Sequence, residues 1–244
     1  MRNCAGARML SCTSEDFGFT EEIEAFPRDT TPIFLEMDYL LRSAESDYWR
    51  LAEFYAPQTT NCACSAASAA IALNGLLSTT GADGVVLSER TVLEAAADPL
   101  WPERVAQDGD GVTFAELRTF LERTLDRIDL PHAGIEVFAP DPDDRGALAR
   151  LRHVLRENEG APDSVVLAYY HQGTLTGDWD GLHVSPIGAY NAEADRVLIM
   201  DVDRDLHLPY WASTASLLDA LVTPAPPAEG HLAGLTGGII RIGT

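Results

Sequence analysis

Four residues have the types and spacing that nucleophilic acyl chemistry needs. Cys64 ends the loop Gln58–Ala63 ("QTTNCA") and begins the small, uncharged run "CSAASAAIALNGLL". A thiol at a helix start is stabilised as thiolate by free backbone N–H groups and the helix dipole. A cysteine nucleophile also needs a base and a group to orient that base. Both are offered by "GLHVSPIGAYNAEADRVLIMDV", which reads as a hairpin turning near Ala192–Asp195. The turn implies an index sum near 386 for opposed residues, against 384 for His183 and Asp201, so the two should lie within about one rung. Asp201 would fix the tautomer of His183 and stabilise its charged form. Gln58, six residues before Cys64, could donate its amide to a developing oxyanion together with the Cys64 N–H.

Each residue also has a plainer reading. A cysteine opening a small-residue helix is often a buried small hydrophobe, and a strand His with a strand Asp can be a structural pair. Cys62 and Cys64 as a metal clip would need two further ligands. The nearest candidates, His171 and His183, lie 12 residues apart and are not a close pair. A redox pair is the remaining option, without a thioredoxin-like pattern around it.

The elements that must position these residues follow from periodicity. Helical patterns run over Phe34–Phe54, Cys64–Leu77, Ser88–Ala96, Thr113–Ile128 and Asp144–Glu157, with Thr113 as N-cap and Glu116 as its capping-box partner. Short β-rich runs follow at Ser164–Tyr170, Val184–Tyr190, Arg196–Val202 and Gly238–Ile242. Helices first and strands later predict an α+β fold, with a helical N-terminal lobe and an antiparallel sheet in the C-terminal lobe. Pro140–Asp144 ("PDPDD") and Thr223–Glu229 ("TPAPPAE") read as linkers. Residues 1–28 show no clear period and are expected to form a poorly ordered arm, leaving 29–244 as one domain.

The chain has 244 residues and a formal charge of −21, which would repel phosphate backbones and anionic lipid. Nucleic acid and membrane are therefore not expected partners. The N-terminus lacks the apolar core of a secretory signal, and the uncharged stretch Ala56–Ala82 is interrupted by Gln, Asn, Ser and Thr, so a cytoplasmic protein is expected. Four cysteines, Cys4, Cys12, Cys62 and Cys64, do not make a disulfide framework in a chain of this length.

The run Gln58–Leu76 ("Q-x5-C-S-A-A-S-A-A-I-A-L-N-G-L") comes first, then "GVTF", "VVLAYYHQGTL" and "HVSPIGAYNAEADRVLIMDV", and finally Pro209, Trp211 and "LLDAL". In that order and spacing, these segments resemble the catalytic domain of phytochelatin synthases, a papain-like cysteine peptidase family, over residues 34–244. The block "SPIGAYN" followed by "VLIMDV" carries the resemblance most specifically. The resemblance implies a papain-like fold with Cys64 as nucleophile, His183 as general base, Asp201 as its orienting carboxylate and Gln58 in the oxyanion hole. It also implies a glutathione-like thiol peptide as substrate, cleaved at its Cys–Gly amide through a thioester. The acyl group would then pass to a second thiol peptide or to water, with no cofactor and no resident metal.

Departures from the family pattern lie around the substrate. Where synthases show Tyr-Cys-Gly, this chain has Ala63-Cys64-Ser65, which sets Ser65 beside the nucleophile. The family arginine linked to the second substrate aligns with Gln172, and the loop "TGDWDGLH" brings Asp178 and Asp180 towards His183. Gln172, Ser65 and Asp180 are thus expected at the substrate, with weakened capture of an acceptor carboxylate. Two further readings stand beside the first. One is a papain-like acyltransferase of specialised metabolism, acting on an aminoacyl or peptidyl thioester with a carrier protein as partner. The other is a non-catalytic thiol or metal-binding module. A homodimer is the expected assembly.

Overall fold

Ser164–His171 is buried along its whole length, because its side chains alternate between two separate cores. Val165, Leu167 and Tyr169 join one hydrophobic cluster, and Val166, Ala168 and Tyr170 join another. A strand buried on both faces must lie inside a sheet covered by helices on both sides. The computed structural model describes residues 29–243 apart from 81–85, 129, 131–132 and 204–207. The expected arm at 1–28, with Cys4 and Cys12, lies outside the described residues.

The strands are β1 (Thr31–Pro32), β2 (Gly134–Phe138), β3 (Ser164–His171), β4 (Leu182–Asn191), β5 (Arg196–Ile199), β6 (Tyr210–Ser213) and β7 (Gly238–Gly243). They form one sheet in the order β1-β6-β5-β4-β3-β7-β2, every neighbouring pair antiparallel. The helices are α1 (Asp38–Arg42), α2 (Asp47–Ala52), α3 (Cys64–Thr80), α4 (Glu89–Ala96), α5 (Leu100–Arg104), α6 (Phe114–Leu125), α7 (Ala147–Glu159), α8 (Gln172–Leu175) and α9 (Thr214–Val222). Residues of α3, α4 and α6 share a core with one face of the sheet, while α7 and α9 pack on the other. This is the α+β architecture expected, in its papain-like form. No helix among the described residues is long and apolar enough to cross a membrane.

The central helix α3 explains its composition. From Ser65 to Leu77 every residue is buried, and small side chains let the helix approach the sheet closely. Ser68 Oγ donates to the Val184 carbonyl of β4 at 2.9 Å. Asn74 clamps the chain entering α4, donating to Leu87 O at 2.8 Å and accepting from Leu87 N at 2.7 Å. Polar residues inside a buried helix are tolerated because each finds such a partner.

Thr113 caps α6 by accepting from the Glu116 N–H while the Glu116 carboxylate accepts from the Thr113 N–H, as the sequence predicts. The single helix expected over Phe34–Phe54 is instead broken into a 3-10 turn at Ile33–Leu35, α1 and α2. The physical reason is Ser46, which caps α2 by accepting from Tyr48 N and is itself buried, donating to Gly188 O at 3.0 Å. A tertiary hydrogen bond thereby fixes a cap where periodicity alone would run on.

The hairpin of β4 and β5 contains a bulge. Asn191 pairs with Arg196, Tyr190 with Val197 and Ala189 with Leu198, but Ile187 pairs with Ile199, so the register shifts at Gly188. A Cβ on Gly188 would lie 2.9 Å from Met200 Sδ, which is why this position is occupied by glycine.

Candidate active site

Three elements meet at the chemistry. Cys64 is the first residue of α3, His183 is the second residue of β4, and Asp201 lies two residues beyond the end of β5. His183 and Asp201 are buried, and His183 Nε2 lies 2.9 Å from Asp201 Oδ1. This use of Nε2 leaves Nδ1 as the ring nitrogen for the hydrogen bond between His183 and Cys64. Burial pulls the imidazole pKa down, but the charges of Asp201 and Cys64, with hydrogen bonds to both, override it and hold His183 well above the usual imidazole range. The arrangement favours an imidazolium beside the Asp201 carboxylate. Tyr170 and Trp179 stand edge-on to the ring, with centroids 5.8 and 6.0 Å away.

Asp201 is held from several sides. Its Oδ1 also accepts from the Asp203 N–H at 2.9 Å, and its Oδ2 accepts from the side-chain amide of Gln172 at 3.2 Å. Its backbone carbonyl accepts from the Tyr55 hydroxyl. Burial first, then the charges of Asp201 and Asp203, push the Tyr55 phenol up to about 12, so it remains a donor. Next to it, the Gln58 N–H donates to the Val202 carbonyl at 2.9 Å. The loop preceding Cys64 is thus stitched to the segment carrying Asp201. Gln58 is itself buried, and its Oε1 has no hydrogen-bond partner among the described residues.

Cys64 and His183 open onto a cavity of about 290 Å³, whose lining includes Cys62, Asp110, Trp179 and Glu229. Cys62 is half-buried and donates its thiol to the Gly109 carbonyl at 2.9 Å. Burial, then the neighbouring Cys64 and Asp108 charges, push the Cys62 thiol up. A larger apolar cavity of about 470 Å³, lined by Ala67, Ile71, Leu93 and Val105, contains neither Cys64 nor His183. Among the described residues, no group of three or more His, Cys, Asp or Glu could hold a metal ion.

The residues expected at the substrate do not line the cavity beside Cys64. Gln172 is fully buried against Asp201. Ser65 is buried, its hydroxyl accepting from Trp101 Nε1 at 3.0 Å. Asp180 is exposed in the loop before β4. None of the three lines the cavity beside Cys64. Sequence reasoning missed Glu229, which sits in the segment read as a linker; Pro227–Leu232 instead makes short 3-10 turns on either side of a kink at Glu229–Gly230, pinned where the Ala225 N–H donates to Leu235 O. It also missed Asp110 and Tyr55, for which no local pattern gave a signal.

Fold and site together define a class: an α+β domain that gathers a helix-start cysteine, a buried strand histidine and a buried aspartate into one cluster. The chain belongs to the phytochelatin synthase family, whose model matches residues 33–229. It is 25% identical over 185 residues to glutathione gamma-glutamylcysteinyltransferase 1 of Arabidopsis thaliana, an alignment covering 75% of this chain and 35% of that protein. It is 43% identical over 61 residues to glutathione gamma-glutamylcysteinyltransferase 3 of Lotus japonicus, covering 25% of this chain and 12% of the relative. A stretch of 91 residues is 34% identical to glutathione gamma-glutamylcysteinyltransferase 1 of Triticum aestivum, covering 37% and 18%. The matched stretches therefore span about a third or less of these relatives.

Proposed function

We propose that the protein is a cysteine acyl-transfer enzyme that cleaves the amide after the cysteine of a glutathione-like thiol peptide through a thioester on Cys64. The observation that carries this reading is the buried His183, bonded through Nε2 to Asp201 and interacting with Cys64. Membership of a family whose curated relatives are named glutathione gamma-glutamylcysteinyltransferases supports the substrate class.

The Cys64 thiolate attacks the carbonyl carbon, and the oxyanion that forms is met by the Cys64 N–H and the Gln58 amide. As the C–N bond breaks, the imidazolium of His183 gives its proton to the departing amine, leaving the acyl group as a thioester. Water or an acceptor amine then attacks the thioester, His183 takes the proton, and cleavage of the C–S bond restores the thiolate and imidazolium. Asp201 holds the ring in place and offsets its charge throughout. Cys62, protonated and bonded to Gly109 O, has no part in these steps.

Incubation with glutathione followed by intact-protein mass spectrometry tests the reading. An acyl adduct on Cys64, lost in Cys64→Ala and retained in Cys62→Ala, is expected. An adduct on Cys62, or equal loss of turnover in both variants, would overturn it.

A further inference from the structure

Two aromatic rings stand edge-on to the His183 imidazole, and they differ in what else they meet. Tyr170 is fully buried, its hydroxyl 3.1 Å from Ser185 Oγ and 3.2 Å from the Tyr210 hydroxyl. Trp179 is half-buried and lines the cavity beside Cys64. It belongs to residues 177–180 between α8 and β4, whose other members are exposed, so the indole stands where the cavity meets solvent. Backbone bonds close this loop at its base: the Gln172 N–H donates to Gly181 O at 2.8 Å, and the Gly177 N–H to Gly173 O at 3.0 Å. The ring lies against Gly181, where any Cβ would overlap Trp179 Cζ3. The missing side chain at 181 is what lets the indole settle beside the imidazole.

This placement bears on the second half of the reaction proposed above. By then His183 has given its proton to the departing amine, and the acceptor must reach the thioester carbonyl beside the imidazole. Trp179 borders that approach, and Val112, Leu182 and Leu232 add apolar wall to the same cavity. Water gains nothing from such a wall, whereas an amine bearing an apolar side chain removes both surfaces from solvent. We propose that Trp179 selects the acyl acceptor, favouring an amine with an apolar or aromatic side chain on its adjacent carbon over water. The proposal rests on the Cys64 reading for the acyl-enzyme itself. The acceptor attacks as the neutral amine: the C–N bond forms, the C–S bond breaks, the proton from nitrogen passes to His183, and Cys64 leaves as thiolate.

Phenylalaninamide and alaninamide carry the same charge, so Asp110, Glu229 and the His183 ring act alike on both and the side chain is what differs. The two are offered together at equal concentration with glutathione as donor. Both amide products and free γ-glutamylcysteine are then separated by chromatography and quantified by mass spectrometry. The wild-type protein is expected to favour phenylalaninamide about tenfold, as one buried aromatic contact would give. Trp179→Ala should bring the two acceptors level and raise the hydrolysed share, and Trp179→Phe should keep most of the preference. Level acceptors in the wild type, or a preference untouched by Trp179→Ala, would overturn the proposal. Calorimetric titration of the two amides into the Cys64→Ala protein reads recognition without an acyl-enzyme. Phenylalaninamide should bind more tightly there, and adding Trp179→Ala should remove the difference; equal binding would also overturn the proposal. Failure of glutathione to release glycine would count against the Cys64 reading, while the binding order still decides the role of Trp179.

Discussion

Gln172 donates its side-chain amide to Asp201 Oδ2 at 3.2 Å, while His183 Nε2 occupies Asp201 Oδ1 at 2.9 Å. The two donors divide the carboxylate, one fixing its orientation and the other using it. Gln172 is fully buried and its Oε1 finds no donor among the described residues, so the contact the side chain makes is the one to Asp201.

Gln172→Ala is therefore expected to lower kcat about three- to tenfold, the equivalent of a neutral hydrogen bond worth about 0.5–1.5 kcal/mol. KM should change little. Gln172→Glu would set a second carboxylate beside Asp201 and should cost more, with partial recovery at low pH as the new group takes a proton. Steady-state kinetics across pH separate these outcomes; a rise in KM at unchanged kcat would return Gln172 to the substrate.

His183 gives the pH dependence a sign. Its folded pKa is raised above the ordinary imidazole value, by Asp201 and Cys64 against the opposing effect of burial. The stability it contributes is thus fully present below about pH 6.5 and is lost as pH rises through the raised value. Turnover should fall along the same alkaline limb, because the acid for amine departure disappears. In Asp201→Asn the limb should move to lower pH, as followed by rate profiles and thermal melts from pH 6 upward.

Ser65→Ala removes the acceptor for Trp101 Nε1 inside the core. The variant should lose about 1–2 kcal/mol of stability, from a buried donor left unpaired, with KM unaffected. Denaturant unfolding and kinetics on the same sample check both halves. A stable variant with raised KM would place Ser65 at the substrate after all.

Asn74→Ala strips both partners from Leu87 and unties α3 from the chain entering α4. A loss of about 2–3 kcal/mol is expected, read as a fall in Tm of about 5–10 °C for a domain of this size. Cys64 alkylation at temperatures below the transition should remain intact, since Asn74 lies well down the helix from the thiol.

Much of this was legible where a local rule and the tertiary structure agree. The Thr113/Glu116 capping box is readable because both partners lie within one turn. The approach of His183 and Asp201 is readable because a hairpin makes long-range pairing a matter of counting from its turn. The break between α1 and α2 was not, since the hydrogen bond that fixes it runs from Ser46 to Gly188, distant in sequence. The strands β1, β2 and β6 were not read from the sequence and exist through their partners in the sheet. Glu229 was hidden by its setting, because a proline-rich stretch looks the same whether it links domains or forms an ordered turn.

Gly188 gives the hairpin an odd residue, and that parity decides what His183 meets. Beyond the bulge Ile187 faces Ile199; without it Ile187 would face Met200. Alternation along β5 would then turn Met200 to the side now served by Asp201, and Asp201 towards the helices. A hairpin that took Gly188 into an ordinary rung would leave every active-site side chain in the sequence and exchange the carboxylate beside the imidazole for a thioether.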